Sequence, residues 1–155
     1  MSAPVIRPAE ESDLDAVYAL ICDMEAKELP YAEFADIFRA QLASPDYLCL
    51  VCELDGAAVA ECNLRFEYQL HHAARIAEIM ELAVAPGYRR RGLGADMLRE
   101  AHVAALSQRC VQLELACNTL RLDAHRFYER EGFKRYHYKF TKPLTGEDNP
   151  NALGR

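Results

Sequence analysis

Short apolar runs of helical or strand period, separated by turn residues, fill nearly the whole chain. Leu14, Val17, Leu20, Ile21 and Met24 recur at helical spacing behind Ser12, a good N-cap, and predict an amphipathic helix over about 12–27. Pro30 interrupts it. Phe34, Ile37, Phe38 and Leu42 then predict a second helix that stops before Ser44-Pro45. Residues 47–54 (YLCLVCEL) and 57–68 (AAVAECNLRFEY) predict two antiparallel strands joined by Asp55-Gly56, a two-residue hairpin signal. The polar stretch 69–75 leads into a third strand, 76–84, that ends at Pro86. Met97, Leu98, Ala101 and Ala105 predict a helix over 94–106. A buried strand over 110–116, a short helix over 123–131 closed by Gly132, and a last strand of alternating aromatic and basic residues over 133–141 complete the pattern. The order ααββ-β-α-β-α-β predicts an α/β or α+β sheet with helices on both faces. Residues 1–144 read as one domain and the polar residues 145–155 as a flexible C-terminal tail.

Composition agrees: 155 residues, 51% apolar and 27% charged, suit one globular domain with a real core. The net charge of -6 argues against nucleic acid or an anionic membrane as partner, but it hides a division. Residues 1–82 carry 5 Lys and Arg against 16 Asp and Glu, whereas residues 83–155 carry 13 against 8. An acidic chain therefore still has the arginines for an anion-binding surface in its second half. No stretch approaches the ~18 consecutive apolar residues of a membrane span, and no signal core is evident, so the cytoplasm is the expected location. There the six cysteines read as reduced, mostly buried hydrophobes. The odd spacing of Cys49 and Cys52 within a strand sends their thiols to opposite faces.

The informative segment is Val84-Ala85-Pro86-Gly87-Tyr88-Arg89-Arg90-Arg91-Gly92-Leu93-Gly94, after a strand and opening a helix. Helix-opening N–H groups lack helical partners, glycines let a ligand approach the backbone, and arginines add charge-assisted contacts to phosphates. It is neither a Walker A loop nor a G-x-G-x-x-G loop, and spacing alone leaves open an arginine-rich solvated turn.

Arg89-x-x-Gly92-x-Gly94 resembles the acetyl-CoA pyrophosphate loop of the GCN5-related N-acetyltransferases, and Phe127-Tyr128-Glu129-Arg130-Glu131-Gly132-Phe133 resembles that superfamily's second signature, F-Y-x-x-x-G-F. The resemblance spans about residues 4–144 and implies a mixed central sheet of about 6–7 strands flanked by about four helices. Further stretches, 15–22, 70–72, 78–79, 123–128 and 140–142, are similar to the aminoalkylphosphonate-acetylating enzymes of bacterial phosphonate metabolism. The implied activity is acetyl transfer from acetyl-CoA to the primary amine of a small aminoalkylphosphonate, such as aminomethylphosphonate or 2-aminoethylphosphonate, by direct attack in a ternary complex. No cysteine stands in a motif that marks it as an acyl carrier. Another small amine (a polyamine, amino sugar or amino acid) and a non-catalytic acyl-CoA sensor are the alternatives.

The resemblance also implies roles. Leu82, Ala83 and Val84 offer backbone groups to the pantetheine arm and the thioester carbonyl, and Arg89, Arg90, Arg91, Gly92, Leu93 and Gly94 bind the pyrophosphate. Tyr128 is the acid that protonates the departing thiolate, a task within reach of a phenol of pKa about 10. Glu78 is the first candidate for the base, acting through water, and Glu81 the second, because its odd spacing puts it on the other side of a regular strand unless a bulge intervenes. Asn118 and His125 are further coenzyme A contacts, with Arg121 and Arg126 beside them. A phosphonate asks for cationic partners, and His71, His72 and Arg75, just before the Glu78 strand, are the candidates, with Tyr18 as an added substrate contact. The resemblance also admits a divalent metal, with His71 and His72 as its candidate ligands, and a homodimer.

Overall fold

The computed structural model describes residues 3–144, Asn149 and Asn151. Most of the expected tail, 145–155, therefore lies outside the described residues. The chain divides into two compact units, Met1–Cys117 and Asn118–Arg155.

The first unit contains strands β1 (Val5–Pro8), β2 (Tyr47–Leu54), β3 (Ala57–Gln69), β4 (Ala74–Val84) and β5 (Gln112–Leu115), and helices α1 (Leu14–Glu25), α2 (Tyr31–Leu42) and α3 (Leu93–Ser107). The strands form one sheet in the order β1-β2-β3-β4-β5. β1 to β4 are antiparallel, and β5 runs parallel to β4 because α3 carries the chain back across the sheet. Asp55 (φ 52°) and Gly56 (φ 83°) both take the left-handed backbone of a two-residue hairpin, so the turn forms where Asp-Gly predicts it. β1 carries no sequence signal, since four residues give too short an alternation to register.

Helix α1 starts two residues after Ser12, preceded by a 3₁₀ turn, Glu11–Asp13. Asp13 decides that start. It accepts from both terminal nitrogens of Arg7 (2.8 and 3.0 Å) and from the Glu10 N–H (2.7 Å), and the Arg7 guanidinium holds its carboxyl below the ordinary range. α1 and α2 bury Leu14, Val17, Ile21, Ala35 and Phe38 against Cys49 and Val51 on one face of the sheet. α3 buries Leu93, Met97, Leu98, Ala101 and Ala105 and packs on β3 and β4 over the other face. Cys49 and Cys52 pair with Asn63 and Ala60, so their thiols leave by opposite faces, and both are buried and free.

The second unit contains α4 (Leu122–Arg130) and a segment of no regular structure from Phe133 onward. The sheet thus has five strands rather than about 6–7, and the last strand expected over 133–141 does not form among the described residues. Alternation specifies a strand only where a neighbour supplies ladder partners. Among the described residues none pairs with the segment, and Tyr136, Tyr138 and Phe140 are exposed.

Candidate active site

The site of the first unit is set by a β-bulge. Asn63 pairs with Glu81 while the next β3 residue, Leu64, pairs with Ile79, so Met80 is an extra residue on β4. One extra residue reverses the alternation beyond it. Glu78, opposite Arg65, and Glu81, opposite Asn63, therefore lie on the same face of the sheet despite their odd spacing. Glu61, opposite Ala83, continues the stripe. On a regular strand Glu81 would face away from Glu78; the bulge is the exception that brings the two to one face.

α1 and α2 roof over that stripe and leave a cavity of about 300 Å³ above it. Its walls are mostly apolar, with Val17, Ile21, Phe34, Phe38 and Leu42 among them, and its floor carries Glu61, Asn63 and Glu81. Asn63 donates its side-chain amide to Gln41 Oε1 and to Glu81 Oε2, both at 3.0 Å. Burial raises the Glu81 pKa; the Asn63 hydrogen bond works against that rise, and the charges of Glu25 and Glu78 add to it. Glu61 is fully buried, and burial first, then the charge of Glu81, pushes its pKa well above the usual carboxylate range. The Ala83 N–H favours its charged form, yet neither carboxyl oxygen makes a hydrogen bond of normal geometry. Glu78 is differently placed, at 2.7 Å from Arg65 in an ion pair.

The glycine and arginine segment closes β4. Pro86–Tyr88 forms a 3₁₀ turn, Arg90 (φ 62°) and Gly92 (φ 81°) are left-handed, and α3 begins at Leu93. The first helical bond comes from Asp96 N–H to Gly92 O (3.1 Å), so the N–H groups of Leu93, Gly94 and Ala95 open the helix. A Cβ built at Gly92 would meet nothing within 4 Å, which leaves open space over the loop backbone. Arg89 donates to Val84 O (3.1 Å) and to Asp23 (2.9 Å), tying the loop to α1, and Arg91 stacks over the Tyr88 ring. A backbone nest at the N-terminus of a 15-residue helix, flanked by arginines, suits a pyrophosphate.

The other expected site residues divide. Leu82, Ala83 and Val84 run along the end of β4, opposite Cys62, Glu61 and Ala60. Tyr18 donates its hydroxyl to Leu29 O (2.5 Å) and packs edge-on against Tyr31 and Phe34, which fixes the α1–α2 connection. His71 and His72 sit in the exposed turn joining β3 to β4, with His72 Nδ1 at 2.7 Å from Gln69. Arg75 pairs with Tyr68, lies over the Phe66 and Tyr68 rings and bonds Gln108 after α3. It therefore serves the α3 face, so the structure does not bring it to Glu78 and Glu81; the three-residue step from Arg75 to Glu78 along β4 puts the two on opposite faces. Among the described residues no group of three or more His, Cys, Asp or Glu could hold a metal. In the second unit, Asn118 accepts the Leu120 N–H (2.8 Å), His125 Nε2 lies 2.7 Å from Asn118 O, and the Tyr128 ring packs against Phe127 and Phe133.

Sequence comparison decides what this arrangement belongs to. The Acetyltransferase (GNAT) family profile matches residues 14–133. The chain belongs to that family. It is an acetyl-CoA-dependent N-acetyltransferase. It is 41% identical over 139 residues, 90% of each chain, to the aminoalkylphosphonate N-acetyltransferase of Salmonella typhimurium. Among solved structures, a putative acetyltransferase from Agrobacterium tumefaciens superposes with a TM-score of 0.81 at 26% identity, covering 90% of this chain and 99% of its own. An aminoglycoside N-acetyltransferase, AAC(6')-Iy in complex with CoA, superposes at 0.84 with 13% identity over 94% of this chain and 97% of its own, which shows the shared fold.

Glu61, Asn63 and Gln41 are the site residues that motif reading does not reach. Their signal is the alternation Glu61, Asn63, Arg65, Glu67 along β3, which ordinarily marks a solvent face. Only the roof of α1 and α2 turns that polar stripe into a cavity floor.

Proposed function

We propose that this N-acetyltransferase acts on the primary amine of a small aminoalkylphosphonate, by direct attack on the acetyl-CoA thioester in a ternary complex. The observation that carries this reading is the 41% identity, over 90% of both chains, to a protein named for that activity.

Chemistry on an ammonium needs its proton removed, a neutral amine aimed at the thioester carbonyl, and a proton returned to sulfur. Glu81 is the base in this reading: it lines the cavity and its carboxyl is pushed toward neutral pH by burial, whereas Glu78 is held by Arg65. The amine nitrogen forms the new C–N bond as the C–S bond breaks. One ammonium proton passes through Glu81 to solvent; Tyr128 gives its phenolic proton to the thiolate, and the second proton leaving nitrogen restores the phenol. The role of Tyr128 rests on its place in the Phe127–Phe133 motif. The pyrophosphate is assigned to the loop Arg89 to Gly94 and the N–H groups that open α3.

A second reading, another small amine without an anionic group, draws support from the cavity lining, which among the described residues includes no Arg, Lys or His. Coenzyme A thiol release followed with aminomethylphosphonate, 2-aminoethylphosphonate, spermidine and glucosamine, with and without a chelator, separates the two. The phosphonates are expected to have the highest kcat/KM. A preference for spermidine or glucosamine overturns the phosphonate assignment.

A further inference from the structure

Three buried side-chain oxygens on the cavity floor make no hydrogen bond of normal geometry: both carboxyl oxygens of Glu61, near which only the Ala83 N–H favours charge, and the side-chain oxygen of Asn63. The Asn63 orientation is fixed by its neighbours, since its amide nitrogen already serves two acceptors, Gln41 Oε1 and Glu81 Oε2. An unpaired polar group buried in an apolar setting costs about 1–3 kcal/mol, so a floor of such groups is stable at that cost only if something else offsets it or a ligand pairs them. Once Glu61 is ionised, all three atoms are acceptors and a ligand that pairs them has to donate. A primary ammonium has three N–H donors and no acceptor, and it carries the charge that complements two carboxyl groups. The walls above, Val17, Ile21, Phe34, Phe38 and Leu42, fit an aliphatic stem, and among the described residues no cation lines the cavity to receive an anion.

We infer that Glu61, Asn63 and Glu81 form an ammonium subsite, which selects amines carried on a short apolar stem and keeps any anionic group of the substrate at the cavity mouth. The inference rests on the proposed amine acetylation and adds Glu61 as a specificity-determining residue to it. Burial and the nearby Glu81 favour the neutral form of Glu61 in the empty cavity. Capture of an ammonium ionises it and releases a proton. Cys49 beside it in the cavity and the buried Cys62 are held as thiols by burial, so they do not supply that proton.

The test is calorimetry with n-butylammonium chloride on the full chain without acetyl-CoA, in two buffers of different ionisation enthalpy, against n-butanol and matched potassium chloride. Wild type is expected to bind n-butylammonium with proton release, Glu61→Gln to bind it at least about tenfold more weakly with none, and Glu61→Asp to recover part of the affinity. Acetyl-CoA binding by each variant checks that it is folded. Equal affinity of wild type and Glu61→Gln, or n-butanol binding as tightly as n-butylammonium, overturns the subsite. If n-butylammonium behaves as expected but no amine is acetylated, the functional reading fails and the subsite stands. If an amine is acetylated and n-butylammonium ignores Glu61, the reverse holds.

Discussion

Asn63 donates its amide to Glu81 at 3.0 Å across β3 and β4, beside the Met80 bulge that brings Glu81 onto the cavity face. That one hydrogen bond opposes the effect of burial, because it favours the charged carboxylate that burial disfavours.

Asn63→Leu removes it at nearly constant volume. The Glu81 pKa then rises, and the acid limb of the kcat/KM against pH profile for the amine moves to higher pH. An unmoved limb in this variant takes Glu81 out of the base role.

Tyr128→Phe deletes only the hydroxyl. Turnover is expected to fall by about 10²-fold or more, the usual contribution of a general acid, while the dissociation constant of acetyl-CoA holds. Stopped-flow or steady-state thiol release together with calorimetry reads both. Wild-type turnover rules the acid role out.

The buried Glu61 makes stability depend on pH with a definite sign. Its folded pKa lies well above the ordinary 4.5, so the folded state binds a proton that the unfolded state releases. The resulting stability is fully present below about pH 4.5 and is lost as pH rises through the raised value. Thermal unfolding of wild type and Glu61→Gln across pH 5 to 9 measures it: the Gln variant is expected to lose less stability with rising pH than wild type. Parallel curves contradict a neutral Glu61.

Gly92→Ala adds a methyl group where there is open space, so packing is not the issue. The strain is in the backbone, since φ is +81° and a left-handed residue with a Cβ costs about 1–2 kcal/mol. Denaturant unfolding should show that loss, and acetyl-CoA affinity should fall as the nest distorts. No change in either removes Gly92 from the cradle.

The sequence alone determined much of this protein. Apolar periodicity placed α1, α2 and α3 and strands β2 to β4, Asp55-Gly56 marked the first hairpin, and Arg89 to Gly94 marked the loop that opens α3. These signals are local, because helix period, turn chemistry and glycine conformation act within a few residues. What the sequence could not determine was which side chains share a face. The Met80 bulge, a fact about pairing between two strands, moved Glu81 to the side of Glu78, and register sent Arg75 to the face of α3. The segment 133–141 had a strand's alternation without a partner strand among the described residues. The polar stripe of Glu61 and Asn63 became a buried floor only because α1 and α2, distant in sequence, close over it. Burial and register are properties of the assembled sheet, and they decide which carboxyl is held by an arginine, which is driven toward neutrality, and where a cation can be received.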